Sequence, residues 1–346
     1  MRAMMLTGLK KMELRDVPDP VISNPADVKI KMKVVGVCGS DIHYFLKGRI
    51  GSQIVDFPFT LGHEGSGVVV ETGHGVKSLS PGDRIAIEPA MPCFDCDQCL
   101  AGRPHTCRKL RFLGCPGQAE GCLSEYIVMP ESSCFRVPDN MSHDEAVLSE
   151  PLAIGVYAVH QAMPVKGAAA VILGFGPIGM SVMMAALDAG VERVFVTDKI
   201  DRRAAMAIET GAAWSGSPDS EDVVKEILDR EPGGPDLVFE CCGSQEAMDQ
   251  AIDLVKPGGR IMMVGIPEFD NWSFSADKLR RKEIFLINIR RQNHALEPTL
   301  EMLSSKRIDV RPMVTHRFAF ENSNDAFNLV AGYRDGVMKA MIDYAI

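Results

Sequence analysis

Ala168-Ala169-Ala170-Val171-Ile172-Leu173 runs without a polar side chain straight into Gly174-Phe175-Gly176-Pro177-Ile178-Gly179, and an alanine- and methionine-rich stretch, Ile178–Ala189, follows. An apolar run of strand length, a G-x-G-x-x-G turn and a run of helix length specify a buried strand, a tight turn and a buried helix. The first glycine permits the turn, the second lets the backbone approach a pyrophosphate, and the third lets helix and strand pack closely. The helix N-terminus then offers free N–H groups to the phosphates. The motif alone is short, and its context carries it. Working outward, Arg193–Thr197, Asp236–Glu240, Arg260–Val264 and Ile284–Ile289 repeat the buried-strand signature, with helix-like segments such as Arg202–Thr210 between them. Strands alternating with helices predict parallel βαβ units. Asp198 ends the second strand, 19 residues after Gly179. A carboxylate there can accept hydrogen bonds from both ribose hydroxyls and repel a 2′-phosphate, which favours NAD over NADP, while Arg202 and Arg203 soften that preference. The alternative is a flavodoxin-like turn that holds no dinucleotide.

The remaining composition bounds the class. At 346 residues the chain has room for two domains, and 46% hydrophobic with 24% charged residues is ordinary for a globular protein. Thirty-seven basic residues against 46 acidic give a net charge of −9, which argues against a nucleic-acid or anionic-membrane partner. Arg280, Arg281 and Lys282 are too short a cluster to change that and read as a solvated face. Met1–Leu14 carries Arg2, Lys10, Lys11 and Glu13 with no long apolar run, unlike a secretory leader. Gly167–Leu187 lacks any charge, yet Gly174, Gly176, Pro177 and Gly179 cut it where a spanning helix would break. Ten cysteines in such a chain point to a reducing, cytoplasmic setting and to metal or buried thiols.

The first 150 residues hold short apolar runs punctuated by glycine and proline: Val28–Val37, Gly67–Glu71, Arg84–Ile87 and Leu123–Val128. These predict strands of a sheet or barrel-like body. Pro151 to about Gln161 reads as helix, and after Arg290 mixed helix and strand end in Val337–Tyr344. Cys93, Cys96, Cys99 and Cys107 follow C-x2-C-x2-C-x7-C in a loop with Pro92, Gly102 and Pro104. Four thiolates so close suit a tetrahedral structural zinc. An iron–sulfur cluster would also take four thiolates, but neither ferredoxin spacing is reproduced. A second donor set must be assembled from distant segments: Cys38 in Cys38-Gly39-Ser40-Asp41-Ile42-His43, and His63 with Glu64 in Gly62-His63-Glu64-Gly65. A thiolate, an imidazole and a carboxylate can leave one position open, as catalytic zinc requires. Taken singly, each is more often a buried thiol or a structural histidine.

Together these residues resemble the zinc-containing medium-chain dehydrogenase/reductase family, and within it the sorbitol, xylitol and L-arabinitol dehydrogenases, over essentially the whole chain. Cys38-Gly39-Ser40-Asp41-Ile42-His43-Tyr44, Gly48-Arg49-Ile50-Gly51, Leu61-Gly62-His63-Glu64 and Glu150-Pro151-Leu152 carry the resemblance in order. It implies a GroES-like β-rich catalytic domain (1–153 and 291–346) split around a Rossmann domain with a doubly wound parallel sheet (154–290). It makes Cys38, His63 and Glu64 ligands of a catalytic zinc, with Glu150 near the metal, as a ligand or bonded to the bound water. Asp41 is implied to orient a ligand. Gly174 to Gly179, Asp198, Arg203, Val264-Gly265-Ile266 and Asn288-Ile289-Arg290 are the implied NAD-site positions, and Tyr44, Glu150 and Arg290 those that meet the polyol. Arg291 departs from the family, since some sorbitol enzymes carry an aromatic residue there.

The expected reaction is oxidation of a secondary hydroxyl of a polyol such as sorbitol, xylitol or L-iditol to a ketose, with NAD and two zinc ions per subunit. Ser40 and then His43 are candidates to relay the proton. A homotetramer or homodimer is expected from the family. Two alternatives stand beside this: a threonine or secondary-alcohol dehydrogenase of the same family, and a non-catalytic NAD-binding scaffold.

Overall fold

The apolar run before the glycine turn is a strand, Ala169–Leu173, with all five residues buried. In the computed structural model, which describes residues 1–345, it lies inside a six-stranded sheet. The order is Trp214–Gly216, Arg193–Thr197, Ala169–Leu173, Leu237–Glu240, Arg260–Met263 and Phe285–Asn288. Every pairing is parallel. Helices on both faces explain why the inner strands read as unbroken apolar runs rather than alternating ones. The helix Pro177–Asp188 starts with Pro177 in its first turn, where a missing N–H is harmless and φ is already set. Further on, Asp222 and Ser244 cap their helices by accepting from Lys225 N and Ala247 N. The edge strand Trp214–Gly216 has three residues, too few for any periodicity to mark it.

This sheet belongs to one of two compact units, Pro151–Ala295; the other comprises Met1–Glu150 and Leu296–Ile346. In that second unit the strand Asp27–Gly36 is the hub. It pairs antiparallel with Glu64–Thr72, Tyr126–Pro130 and the C-terminal strand Lys339–Asp343. Met341 stands opposite Gly36 and Ile342 opposite Val35, so the chain's end rejoins its beginning. The sequence pattern could not show that return. Arg84–Ile87, Cys134–Arg136 and Val314–Ala319 complete the seven-stranded sheet. Met32, Phe45, Leu61, Ile85 and Phe327 are among the fully buried residues of its core.

One helix differs from expectation. It runs His143–Ala162, with Pro151 inside it rather than at its start. Ser142 and Glu145 explain the earlier beginning: Glu145 N donates to Ser142 Oγ at 3.2 Å, and Ser142 N donates to Glu145 Oε2 at 2.7 Å. This is a capping box, which outweighs the preference of proline for a first turn. Among the described residues, no helix is long and apolar enough to cross a membrane.

Candidate active site and metal centres

Register alone brings the first donor set together. Gly36 stands opposite Glu64 on the neighbouring strand, and two residues on, Cys38 is the N-cap of the helix Gly39–Lys47. A β-carbon at Gly36 would lie 2.4 Å from Glu64 Oε2 and 3.0 Å from Val147 Cγ1. Only glycine lets the carboxylate sit where it does. Cys38 Sγ, a ring nitrogen of His63 and a carboxylate oxygen of Glu64 lie within 4.8 Å of one another. Buried Asp41 holds Oδ1 3.3 Å from both Gly62 N and His63 Nδ1. A carboxylate there accepts a hydrogen bond from Nδ1–H and leaves Nε2 as the metal-donor atom. Phe112 packs on the imidazole, ring centroids 5.5 Å apart, and Ser40 Oγ donates to Cys38 Sγ at 3.4 Å.

Glu150 is buried, and its Oε2 has no hydrogen-bond partner among the described residues. Burial raises its pKa to about 8, helped by Glu64 and Glu88 and opposed by His63. A buried carboxylate oxygen left unpaired within the field of His63 and Glu64 fits a site built for a cation. Tyr44 is buried as well, its hydroxyl donating to Gln53 Oε1 at 3.1 Å. His43, on the same helix, is half-buried.

The four loop cysteines form a second cluster, one sulfur from each within 4.8 Å of the others. Cys107 Sγ is 3.4 Å from Cys93 Sγ, and Cys96 Sγ is 3.6 Å from Cys99 Sγ and 3.9 Å from Cys107 Sγ. A zinc–sulfur bond of about 2.3 Å implies tetrahedral edges of about 3.8 Å, so these separations fit that metal. Cys93 N and Lys109 N each point at Cys107 Sγ from 3.3 Å. Backbone donors from Arg108 and Cys99 pull the Cys96 thiol down to about 6, while a hydrogen bond with Asp95 pushes Cys93 up to about 12 and burial pushes Cys99 up.

In the other unit the glycine turn has the geometry its sequence implies. Gly174 adopts φ +93°, and a β-carbon on Gly179 would lie 2.0 Å from Gly174 O. A β-carbon on Gly176 would meet nothing nearer than Arg203 Nη1 at 3.5 Å, so the backbone there is open to a ligand. Asp198 Oδ2 accepts from Phe175 N at 2.7 Å and Oδ1 from Ile200 N at 2.8 Å, which ties the turn to the end of the second strand. The Phe175 side chain itself is wholly buried. Gly174, Val264–Ile266 and Asn288–Arg290 all lie at the carboxyl ends of this sheet's strands. The strand order reverses between Ala169–Leu173 and Leu237–Glu240, the place where open α/β sheets bind ligands.

The alcohol dehydrogenase GroES-like domain matches residues 24–139, and the zinc-binding dehydrogenase domain matches residues 177–305. L-idonate 5-dehydrogenase of Vitis vinifera is 34% identical, covering 92% of this chain and 88% of its own. Sorbitol dehydrogenase of Bacillus subtilis (strain 168) is 32% identical, covering 99% and 97%. A crystal structure of an oxidoreductase/dehydrogenase of unknown specificity from Escherichia coli superposes with a TM-score of 0.93 at 34% identity, covering 99% and 98%. The chain belongs to the zinc-dependent medium-chain dehydrogenase/reductase family, in its polyol branch.

Two functional neighbours in this dehydrogenase escape a reading of the sequence. Lys339, wholly buried, donates to Glu64 Oε1 at 2.8 Å and Oε2 at 2.7 Å, and also to Val37 O at 3.3 Å. Burial opposes its charge, but the Glu64 carboxylate more than offsets this and holds its pKa above the ordinary value. A lysine inside the apolar run Val337–Ile342 was the available signal, because lysine is almost never fully buried unless paired. Glu240 likewise ends an apolar strand: its Oε1 accepts from Cys242 N at 2.8 Å and Gly243 N at 2.7 Å, fixing the loop at the strand-order reversal.

Proposed function

We propose that this enzyme oxidises a secondary hydroxyl of a polyol to a ketose, using NAD, a catalytic zinc on Cys38 and His63 with Glu64 or Glu150, and a structural zinc on Cys93, Cys96, Cys99 and Cys107. The observation that carries the reading is the donor set at Cys38, His63 and Glu64, with Glu150 unpaired beside it. A scaffold that merely bound NAD would have no use for three metal donors and a buried orphan carboxylate. When bound, zinc supplies Lewis-acid polarisation that lowers the pKa of a hydroxyl, and NAD supplies a hydride acceptor.

The chain's own residues do the rest. Asp41 fixes the orientation and tautomer of His63, and Phe112 covers one face of its ring. Ser40, its hydroxyl on Cys38 Sγ, stands where a departing proton can be taken up, and His43, one turn along the helix, can continue the relay. Glu150 brings a buried Oε2 without a partner among the described residues, and burial pushes its carboxyl above the ordinary range. Asp198 accepts ribose hydroxyls and disfavours a 2′-phosphate, while Arg203, beside Gly176, faces the pyrophosphate. Arg290 is exposed at the end of its strand, and the family resemblance makes it the candidate donor to a substrate hydroxyl.

The test is NADH absorbance with NAD and a panel of sorbitol, xylitol, L-iditol, threonine and 2-butanol, before and after chelation. Turnover on polyols, lost with chelator and restored by zinc, is expected. Turnover on threonine or 2-butanol alone would overturn the substrate assignment, and NAD binding without turnover on any substrate would overturn the catalytic one.

A further inference from the structure

The hairpin that follows the helix Gly39–Lys47 turns Ile50 and Gln53 to one face, Ile50 packing on the core, and leaves Ile54 on the other. Its strands, Arg49–Ile50 and Gln53–Ile54, pair Ile50 with Gln53, and Gly51 makes the turn at φ +54°. Neighbouring residues on a strand face opposite sides. Ile54 is 66% exposed, whereas Gln53 is half-buried and turns its amide inward to Tyr44. Burial alone would give the position opposite Ile50 to a second apolar side chain rather than to an amide. A polar group held inward against that preference signals a function.

What the amide faces follows from a short chain of contacts within one unit. Tyr44 lies four residues after Ser40 on the same helix, hence on the same face, and helical side chains lean towards the N-terminus, here towards Cys38. The Tyr44 hydroxyl donates to Gln53 Oε1 at 3.1 Å and lies 3.8 Å from Cys115 Sγ. Cys115 N donates to Phe112 O at 3.2 Å, so the cysteine sits in the same turn as the phenylalanine that packs on His63. Gln53 is thus linked through Tyr44, Cys115 and Phe112 to His63 of the metal donor set. With the hydroxyl proton committed to Oε1, the amide is oriented with its nitrogen away from Tyr44. Nε2 has two hydrogens and no protein acceptor among the described residues.

We propose that Gln53 is a specificity-determining residue, its Nε2 donating a hydrogen bond to a substrate hydroxyl other than the one oxidised. This rests on the polyol reading and deepens it: the side chain rewards a hydroxylated carbon chain over a plain secondary alcohol. Tyr44 is the positioning residue that sets the amide.

A cycle between side chain and substrate tests it. Wild type, Gln53→Met (close in volume, without hydrogen-bonding atoms) and Gln53→Leu are assayed on the best polyol and on each of its single-deoxy analogues. Loss of one particular hydroxyl is expected to lower wild-type kcat/KM about tenfold. Either variant is expected to lose about the same factor on the parent polyol and nothing further on that one analogue. Tyr44→Phe, with the amide no longer oriented, is expected to show the same coupling at reduced size. A loss of the same factor on every analogue, which damage to the fold would produce, overturns the assignment, as does no loss at all. Wild-type silence on every polyol would instead remove the functional reading, and this inference with it.

Discussion

Lys339→Met isolates the buried ion pair at the catalytic donor set. Lys339 and Glu64 side chains are each 1% exposed, and both carboxylate oxygens accept from the one ammonium. Methionine fills similar volume but leaves Glu64 charged and unpaired in the interior. Breaking a buried pair by removing one partner costs about 3–5 kcal/mol. For a unit of this size each kcal/mol moves Tm by about 2–4 °C, so the metal-free variant should melt roughly 6–20 °C below wild type. With zinc present the carboxylate has another cation to pair with. The rise in Tm on adding zinc should therefore be larger in the variant than in wild type. Adding Glu64→Gln removes the stranded charge and should recover at least half of the metal-free loss. Calorimetry of the three proteins, with chelator and with zinc, decides it. A metal-free variant within 2 °C of wild type, or no recovery in the double variant, would refute the reasoning.

Three further outcomes are expected. On the proposed two-zinc reading, Cys96→Ser should leave one zinc per chain by elemental analysis and lower thermal stability, because three thiolates cannot complete a closed tetrahedral site. Asp198→Ala should weaken NADH binding about tenfold by fluorescence titration and narrow any preference over NADPH, since it removes both the ribose acceptor and the tie to Phe175 N; unchanged affinity for both cofactors would contradict that role. His143 is held down to about 4, first by burial and then by Arg84 and Lys33, and its Nδ1 meets Ser66 Oγ at 2.8 Å. An unfolded histidine binds its proton near 6.5, so between 6.5 and 4 the unfolded chain holds the extra proton and stability falls as pH falls. Allowing for partial exposure, the loss is on the order of 1 kcal/mol, and denaturation of His143→Gln across that window should show a correspondingly flatter decline.

The nucleotide half of the enzyme was legible because its signals are local. Ala169–Leu173 is apolar on both faces since both are covered, and each glycine of the turn answers a steric demand a few residues away. The clustering of the four cysteine sulfurs was legible for the same reason, the four lying within 15 residues. The boundaries that failed did so where two local rules competed: Pro151 suggested a helix start, and the reciprocal caps of Ser142 and Glu145 overrode it. Trp214–Gly216 was too short to announce itself.

The catalytic half resists such reading because its chemistry is made by long-range pairing. Gly36 carries no motif, yet its missing β-carbon is what admits Glu64 Oε2 beside the strand that delivers Cys38. Lys339 reaches Glu64 from 275 residues away, through a C-terminal strand whose partner no periodicity names. That pairing has a chemical consequence. A carboxylate already neutralised on both oxygens is a weaker claimant for a metal than one with an oxygen to spare. Under the proposed zinc site, Glu150, buried with Oε2 unpaired, would compete with Glu64 for the third ligand position only in its deprotonated form, with Lys339 weighing on Glu64's side of that balance.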